Sequence, residues 1–256
     1  MKKIIALLMT LALLVACFAG CGAADADSAA IKENGKIIVG ITDYAPMDYK
    51  EKGSDEWTGF DAEFARLFAK ELGVEAEFIE IDWDNKFIEL EAGTIDCVWN
   101  GMTITDEAKA NASVSNPYVR NAQVLVMKAD KVAAITKAED AKDLKFAVEK
   151  GSAGADCAKD AGYKNITEVD TQSTALMEVE AGTADATIID ITMANAMTGA
   201  GTSYADLAKG IEYSSEEYGV AFRKDSDLTK MLNDFMAKIK DTDLKALAEK
   251  YELTLA

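Results

Sequence analysis

An internal repeat constrains this chain more than any other feature. Glu89-Leu90-Glu91-Ala92-Gly93-Thr94-Ile95-Asp96 recurs as Glu178-Val179-Glu180-Ala181-Gly182-Thr183-Ala184-Asp185. Each copy reads as a helix end, a glycine C-cap and the entry to a buried strand. The first strand runs on to Asn100-Gly101 and the second to Ile189-Asp190. Glycine after a helix is common enough to produce such a likeness by itself. The flanking pattern favours the alternative, two related α/β units in one chain.

That pattern is an alternation of strand and helix. Lys36–Ile41 reads as a short buried strand, closed by the Tyr44-Ala45-Pro46 turn. Phe60, Phe64, Leu67, Phe68 and Leu72 then recur at helical spacing, with Asp61 and Glu63 in the first turn, Lys70 near the end and Gly73 just past it. Residues 75–81 read as a strand, 85–92 as a helix and 94–100 as a strand. This rhythm belongs to an α/β fold with a largely parallel sheet. Near the C-terminus, Leu228, Met231, Leu232, Phe235, Met236 and Ile239 form one amphipathic helix, and Leu244, Leu247, Ala248 and Tyr251 form another. In open α/β sheets ligands bind beyond the carboxyl ends of strands, so two facing units place Asn100-Gly101 and Asp190 across one cleft.

Composition removes several function classes. The formal net charge of -18 argues against a nucleic-acid partner, which needs a basic footprint. With no histidine, Ser-His-Asp and Cys-His nucleophiles are excluded, as is every His-ligated metal site. No metal cluster or cofactor motif stands out, and none is expected. The 49% hydrophobic content is enough for a sizeable core in 256 residues.

The N-terminus reads as an export signal. Lys2 and Lys3 precede an apolar run over 4–16, too short to span a bilayer as a mature helix but suited to a signal peptide. Phe18-Ala19-Gly20-Cys21 and Leu14-Val15-Ala16-Cys17 both resemble the bacterial lipobox. Cys21 is preferred as the lipidated residue because a small, polar stretch follows it, with Cys17 as the alternative. The expected organisation is a signal peptide over 1–20 and a lipid-anchored tether over 21–34. Cys97 and Cys157 are read as buried free thiols, although export permits a disulfide.

Four further stretches, in order, carry a resemblance: Tyr44-Ala45-Pro46-Met47, Gly59-Phe60-Asp61-Ala62-Glu63-Phe64, Asn100-Gly101-Met102-Thr103-Ile104-Thr105-Asp106-Glu107, and Tyr218-Gly219-Val220-Ala221-Phe222. Together they resemble the bacterial extracellular solute-binding proteins, family 3, which deliver amino acids to ABC transporters. The family usually has a larger aliphatic residue where Ala62 stands. The resemblance implies a two-lobed periplasmic-binding-protein-like fold (type II) in the α/β class. Each lobe is a mostly parallel sheet flanked by helices, and two hinge strands near 118–122 and 214–218 join them. Lobe 1 is then discontinuous, 35–118 and 219–256, and lobe 2 spans 119–218. The implied protein is a monomeric receptor that binds an amino-acid-like small molecule and docks on the membrane permease of an ABC importer, held at the membrane by its lipid.

A free amino acid carries an ammonium, a carboxylate and a side chain, and in a dry cleft each charge needs a partner. By resemblance, Asp190 takes the ammonium, Tyr44 and Trp83 sandwich the apolar body, and the Gly101 and Thr103 backbone with the Thr103 hydroxyl takes the carboxylate. Gly151 and Ser152 form a turn into a helix whose free N–H groups attract anions; the alternative for Ser152 is an ordinary N-cap. One departure stands out. Where the family usually places a carboxylate-binding arginine, this chain has Ala108, and neither Lys109 nor Arg120 is an obvious substitute. Glu149 falls beside the Gly151-Ser152 turn, so with Asp190 it favours a cationic or polyfunctional ligand. An enzyme on the same scaffold, dehydratase-like or glycan-cleaving, would read Glu149 and Asp190 as a paired acid and base. A ligand-sensing domain is the third reading.

Overall fold

The structure, a computed structural model, describes residues 26–256. The export signal and both lipidation candidates, Cys17 and Cys21, lie outside the described residues. The chain runs α1 (Asp27–Asn34), β1 (Lys36–Ile41), β2 (Tyr49–Lys50), β3 (Trp57–Thr58), α2 (Phe60–Leu72), β4 (Glu75–Glu80), a 3-10 turn (Trp83–Asn85), α3 (Lys86–Ala92), β5 (Cys97–Val98), α4 (Asp106–Asn111) and β6 (Ser113–Val114). There follow β7 (Val119–Lys128), α5 (Ala129–Val132), β8 (Phe146–Glu149), α6 (Ala153–Asp160), β9 (Ile166–Val169), α7 (Gln172–Ala181), β10 (Ala186–Asp190), α8 (Ile191–Met197) and β11 (Leu207–Tyr218). The last elements are β12 (Ala221–Phe222), α9 (Asp227–Ile239), a π-helical turn (Lys240–Leu244) and α10 (Lys245–Lys250).

Two five-stranded sheets form the two lobes, ordered β4-β1-β5-β12-β6 and β11-β7-β10-β8-β9. Each has a parallel part, β4-β1-β5 and β10-β8-β9, extended on one side by two antiparallel pairings. The antiparallel part follows from connectivity. β7 and β11 run between the lobes side by side, with Val119 opposite Tyr218 and Ala122 opposite Ser215, so the chain enters and leaves the second lobe in opposite directions.

The repeat is a structural device used once in each lobe. Gly93 and Gly182 both adopt the left-handed conformation, at φ 75° and 79°, and each N–H closes the preceding helix on carbonyls three and four residues back. The final aspartates do the same work. Asp96 accepts the Ile38 N–H at 2.8 Å and Asp185 accepts the Lys145 N–H at 2.9 Å, so each copy pins the start of a neighbouring strand. Only Cys97–Val98 of the strand expected over 94–100 forms a regular ladder, because 94–96 is spent on the helix cap and this aspartate contact.

Residues 27–34 of the stretch expected as a tether over 21–34 are folded into the first lobe. Asp27–Asn34 is a helix that buries Ile31; Asp27 pairs with Arg223 at 3.1 Å, and the Ser28 N–H donates to Asp227 at 3.1 Å. The N-terminal segment is thereby stapled to the returning part of the first lobe. In that lobe Phe60, Phe64, Phe68, Trp99, Tyr118 and Phe235 interlock around α2 as an aromatic core. Cys97 and Cys157 are both free; Cys97 is buried and Cys157 only partly so.

Candidate functional site

Between the lobes lies a narrow cavity of about 30 Å³. Its floor is set by strand ends, as the topology rule requires. Asn100 and Gly101 follow β5, Glu149 ends β8 and Asp190 ends β10. The structure brings all nine expected residues to this cavity: Tyr44, Trp83, Asn100, Gly101, Thr103, Glu149, Gly151, Ser152 and Asp190. What their side chains do differs from residue to residue.

Asp190 is the centre of a hydrogen-bond network. Its Oδ1 accepts from Asn121 Nδ2, from Gln123 Nε2 at 2.9 Å and from the Tyr218 hydroxyl at 2.7 Å, while Oδ2 accepts from Gln172 Nε2. Asn121 and Gln123 also donate to Glu216, at 2.6 and 2.8 Å, which ties the site to both crossing strands. Burial, then the charge of Glu216, pushes Asp190 up to about 7. Glu149 is 3% exposed, and its Oε1 receives no hydrogen bond from the described residues. Burial, then the charge of Asp190, pushes it up to about 8. Two carboxylates share one desolvated wall, and one of them has an open acceptor.

Several expected ligand contacts are already committed within the protein, whereas the Thr103 backbone N–H has no partner among the described residues. Asn100 accepts the Thr42 N–H and hydroxyl and donates to Thr42 O and Asp48, so its amide braces the cavity wall. The Gly101 N–H, expected for a ligand carboxylate, donates to Asp61 at 2.6 Å. The Thr103 hydroxyl donates to Glu216 at 2.8 Å. Ser152 is the N-cap of α6, accepting the Ala155 N–H at 3.1 Å. The Tyr44 hydroxyl bonds Thr192 and Tyr218, so this ring is fixed at its polar end. Beneath the floor, Asp48 and Asp61 are fully buried neighbours. Burial raises both, Asp61 to about 7, and their carboxylates hold Asn100 and the Gly101 backbone in place.

Ala108 also lines the cavity, with Lys86 as the one cationic side chain among the lining residues. Sequence reasoning missed Lys86, Gln172, Asn121, Gln123, Thr192 and Tyr218 as site residues. The signal for Lys86 was a lysine four residues before Leu90 in the helix read over 85–92, which puts both on one face; the hinge amides had none, because their partner is distant in sequence.

The lobes are in contact around the cavity. Lys86 Nζ donates to Gly151 O at 3.0 Å, Lys150 pairs with Asp84 at 2.7 Å, and the Ser173 hydroxyl donates to Asp43 O at 3.2 Å. Opposed lobes, a polar cavity and paired crossing strands are the parts from which a hinged site is built.

Known proteins agree with this geometry. The chain is 34% identical over 231 residues to the L-cystine-binding protein TcyJ of Escherichia coli K12, covering 86% of this chain and 84% of that one. It is 31% identical over 261 residues to the arginine-binding extracellular protein ArtP of Bacillus subtilis, covering 98% of both. Among solved structures, the ancestral amino-acid-binding protein AncCDT-1, a precursor of cyclohexadienyl dehydratase, superposes with a TM-score of 0.79 at 32% identity, covering 88% of this chain and 98% of that one. A family description matches residues 37–254, and by that match the chain belongs to the bacterial extracellular solute-binding proteins, family 3.

Proposed function

We propose that this protein is an exported, lipid-anchored, monomeric receptor that closes on a cationic amino acid and presents it to the permease of an ABC importer. The observation that carries the ligand class is the acidic wall. Glu149 and Asp190 are buried side by side, and Glu149 Oε1 has no donor among the described residues. Glu107 and Asp156 line the same cavity, so four carboxylates face one lysine. A ligand with two positive groups offsets that charge, whereas an acidic ligand adds to it. The names of relatives support the class, since ArtP is an arginine-binding protein. The lipid anchor rests on Lys2, Lys3, the apolar run over 4–16 and the lipobox-like stretch ending at Cys21.

Calorimetry against L-arginine, L-lysine, L-ornithine, L-cystine and L-glutamate tests the reading. Binding of the first three above the others is expected, and exclusive binding of L-glutamate refutes it. An enzymatic role draws on one observation: a carboxyl at about 8 beside one at about 7 is poised for acid–base chemistry. The receptor reading expects bound ligand to be recovered chemically unchanged after prolonged incubation. Mass spectrometry of the intact N-terminus tests the anchor, with a lipidated Cys21 as the expected first residue.

A further inference from the structure

Lys86 opens α3 at the mouth of the first lobe and is 7% exposed. Its Nζ donates to Trp83 O at 3.1 Å in its own lobe and to Gly151 O at 3.0 Å in the other. An ammonium carries three N–H donors, so one remains. Among the described residues no carboxylate oxygen lies within 4.0 Å of it. Two neutral carbonyls do not balance a buried charge, so the ammonium is left short of an anion.

On this side of the cavity the Thr103 backbone N–H has no partner among the described residues, but as a neutral donor it does not balance an anion's charge, and three other positions offer nothing. The Gly101 N–H is held by Asp61, the Thr103 hydroxyl by Glu216, and Ala108 is apolar. Across the cleft the complementary deficit appears: Glu149 Oε1 lacks a donor. One cavity therefore presents an ammonium short of an anion from one lobe and a buried carboxyl with an open acceptor from the other.

We propose that Lys86 is the carboxylate-recognition residue of this cleft. Its third N–H takes the α-carboxylate of the ligand, while Glu149 and Asp190 take the ammonium groups. The assignment rests on the amino-acid reading above and sharpens it. Because the same Nζ bonds Gly151 across the cleft, carboxylate capture and lobe closure are joined at one atom. A residue that merely latched the lobes would matter equally for ligands with and without a carboxylate.

The test uses paired probes, L-arginine with agmatine and L-lysine with cadaverine, each pair differing by the carboxylate alone. Calorimetry is run on the wild type, Lys86→Met and Lys86→Arg. A hydrogen-bonded charge pair predicts that the wild type favours the amino acid over its decarboxylated partner by roughly a hundredfold. Lys86→Met should lose that preference, with amino-acid affinity falling by about a hundredfold and diamine affinity changing by less than about tenfold. Lys86→Arg should keep it, and this variant decides the matter if Lys86→Met proves unstable in a ligand-free melt. Parallel loss of both probes by a folded Lys86→Met, or loss of the preference in Lys86→Arg, overturns the assignment. Wild-type binding without discrimination overturns it while leaving the amino-acid reading standing. A wild type silent to all four probes overturns both.

Discussion

Replacing Glu149 by glutamine keeps the shape of the side chain and removes the charge. In the folded protein this carboxyl is pushed from 4.5 to about 8, first by burial and then by Asp190. Between those values the folded protein holds a proton that the unfolded chain has released. Its contribution therefore makes stability fall as pH rises from about 4.5 to about 8, and then level off. At about 1.4 kcal/mol per pH unit, the whole fall is about 5 kcal/mol. Glutamine has no such slope, but burying an amide without full partners costs about 1–3 kcal/mol. At pH 9 the ligand-free Glu149→Gln protein should thus exceed the wild type by about 2–4 kcal/mol, or roughly 5–15 °C in Tm for a chain of this size. At pH 4.5 the order should vanish or reverse. Urea unfolding of both proteins without ligand, from pH 4.5 to 9, reads the difference directly. Asp61, at about 7, tilts the two curves alike, whereas Asp190 interacts with Glu149 and titrates differently in the variant, so the difference reports on Glu149 and Asp190 as a pair. A pH-independent difference refutes the picture of a protonated acid in a dry wall. With saturating L-arginine the wild-type disadvantage should shrink as pH rises, because the ligand supplies the missing cation.

Gly151 sits at φ +68°, and an added Cβ would lie 2.8 Å from Asp84 Cα in the opposite lobe. Gly151→Ala should therefore hinder closure and weaken ligand binding by about tenfold or more, given tenfold per 1.4 kcal/mol against the closed state; unchanged affinity in calorimetry counts against the closed geometry. Gly93→Ala and Gly182→Ala meet open space, so only left-handed strain is felt, about 1–2 kcal/mol in each case. Unequal losses in urea unfolding would argue against equivalent roles for the two copies of the repeat. Arg223 binds Asp27, Asp96 and Ile95 O at 2.8–3.1 Å, and Arg223→Met should cost about 1–3 kcal/mol while loosening α1. Hydrogen exchange over 27–34 should rise selectively.

Local chemistry made much of the fold readable. Lys36–Ile41 and Phe60–Leu72 coincide with the strand and helix expected from burial runs, periodicity and glycine caps. The helix α1 escaped because Ile31 is its one buried side chain, and its anchors, Arg223 and Asp227, lie almost 200 residues away. The cavity was located because strand ends in α/β sheets converge, a rule that needs only the order of elements. Which atoms remain free there was not readable. Gly101 and Thr103 reach the cavity, yet Asp61 and Glu216 take their donors, and those pairings depend on contacts 40 and 113 residues apart. The roles of Lys86 and of the Asn121-Gln123 pair likewise exist only once the lobes meet.

This division bears on specificity. A cleft that satisfied all its own polar groups would close equally well on many solutes, held by shape alone. Here closure desolvates Glu149 on one side and Lys86 on the other without pairing them within 4.0 Å. A solute lacking an ammonium leaves Glu149 holding its proton with an acceptor unfilled, and one lacking a carboxylate leaves the lysine without an anion. Leaving a buried charge unpaired costs several kcal/mol, far more than the ~1–3 kcal/mol that one methylene in an apolar pocket can discriminate. Selection in such a cleft comes from what the wrong solute fails to neutralise, which is why the groups short of a partner lie where the lobes meet and the satisfied ones, Asn100 and the Gly101 N–H among them, form the frame that holds them in place.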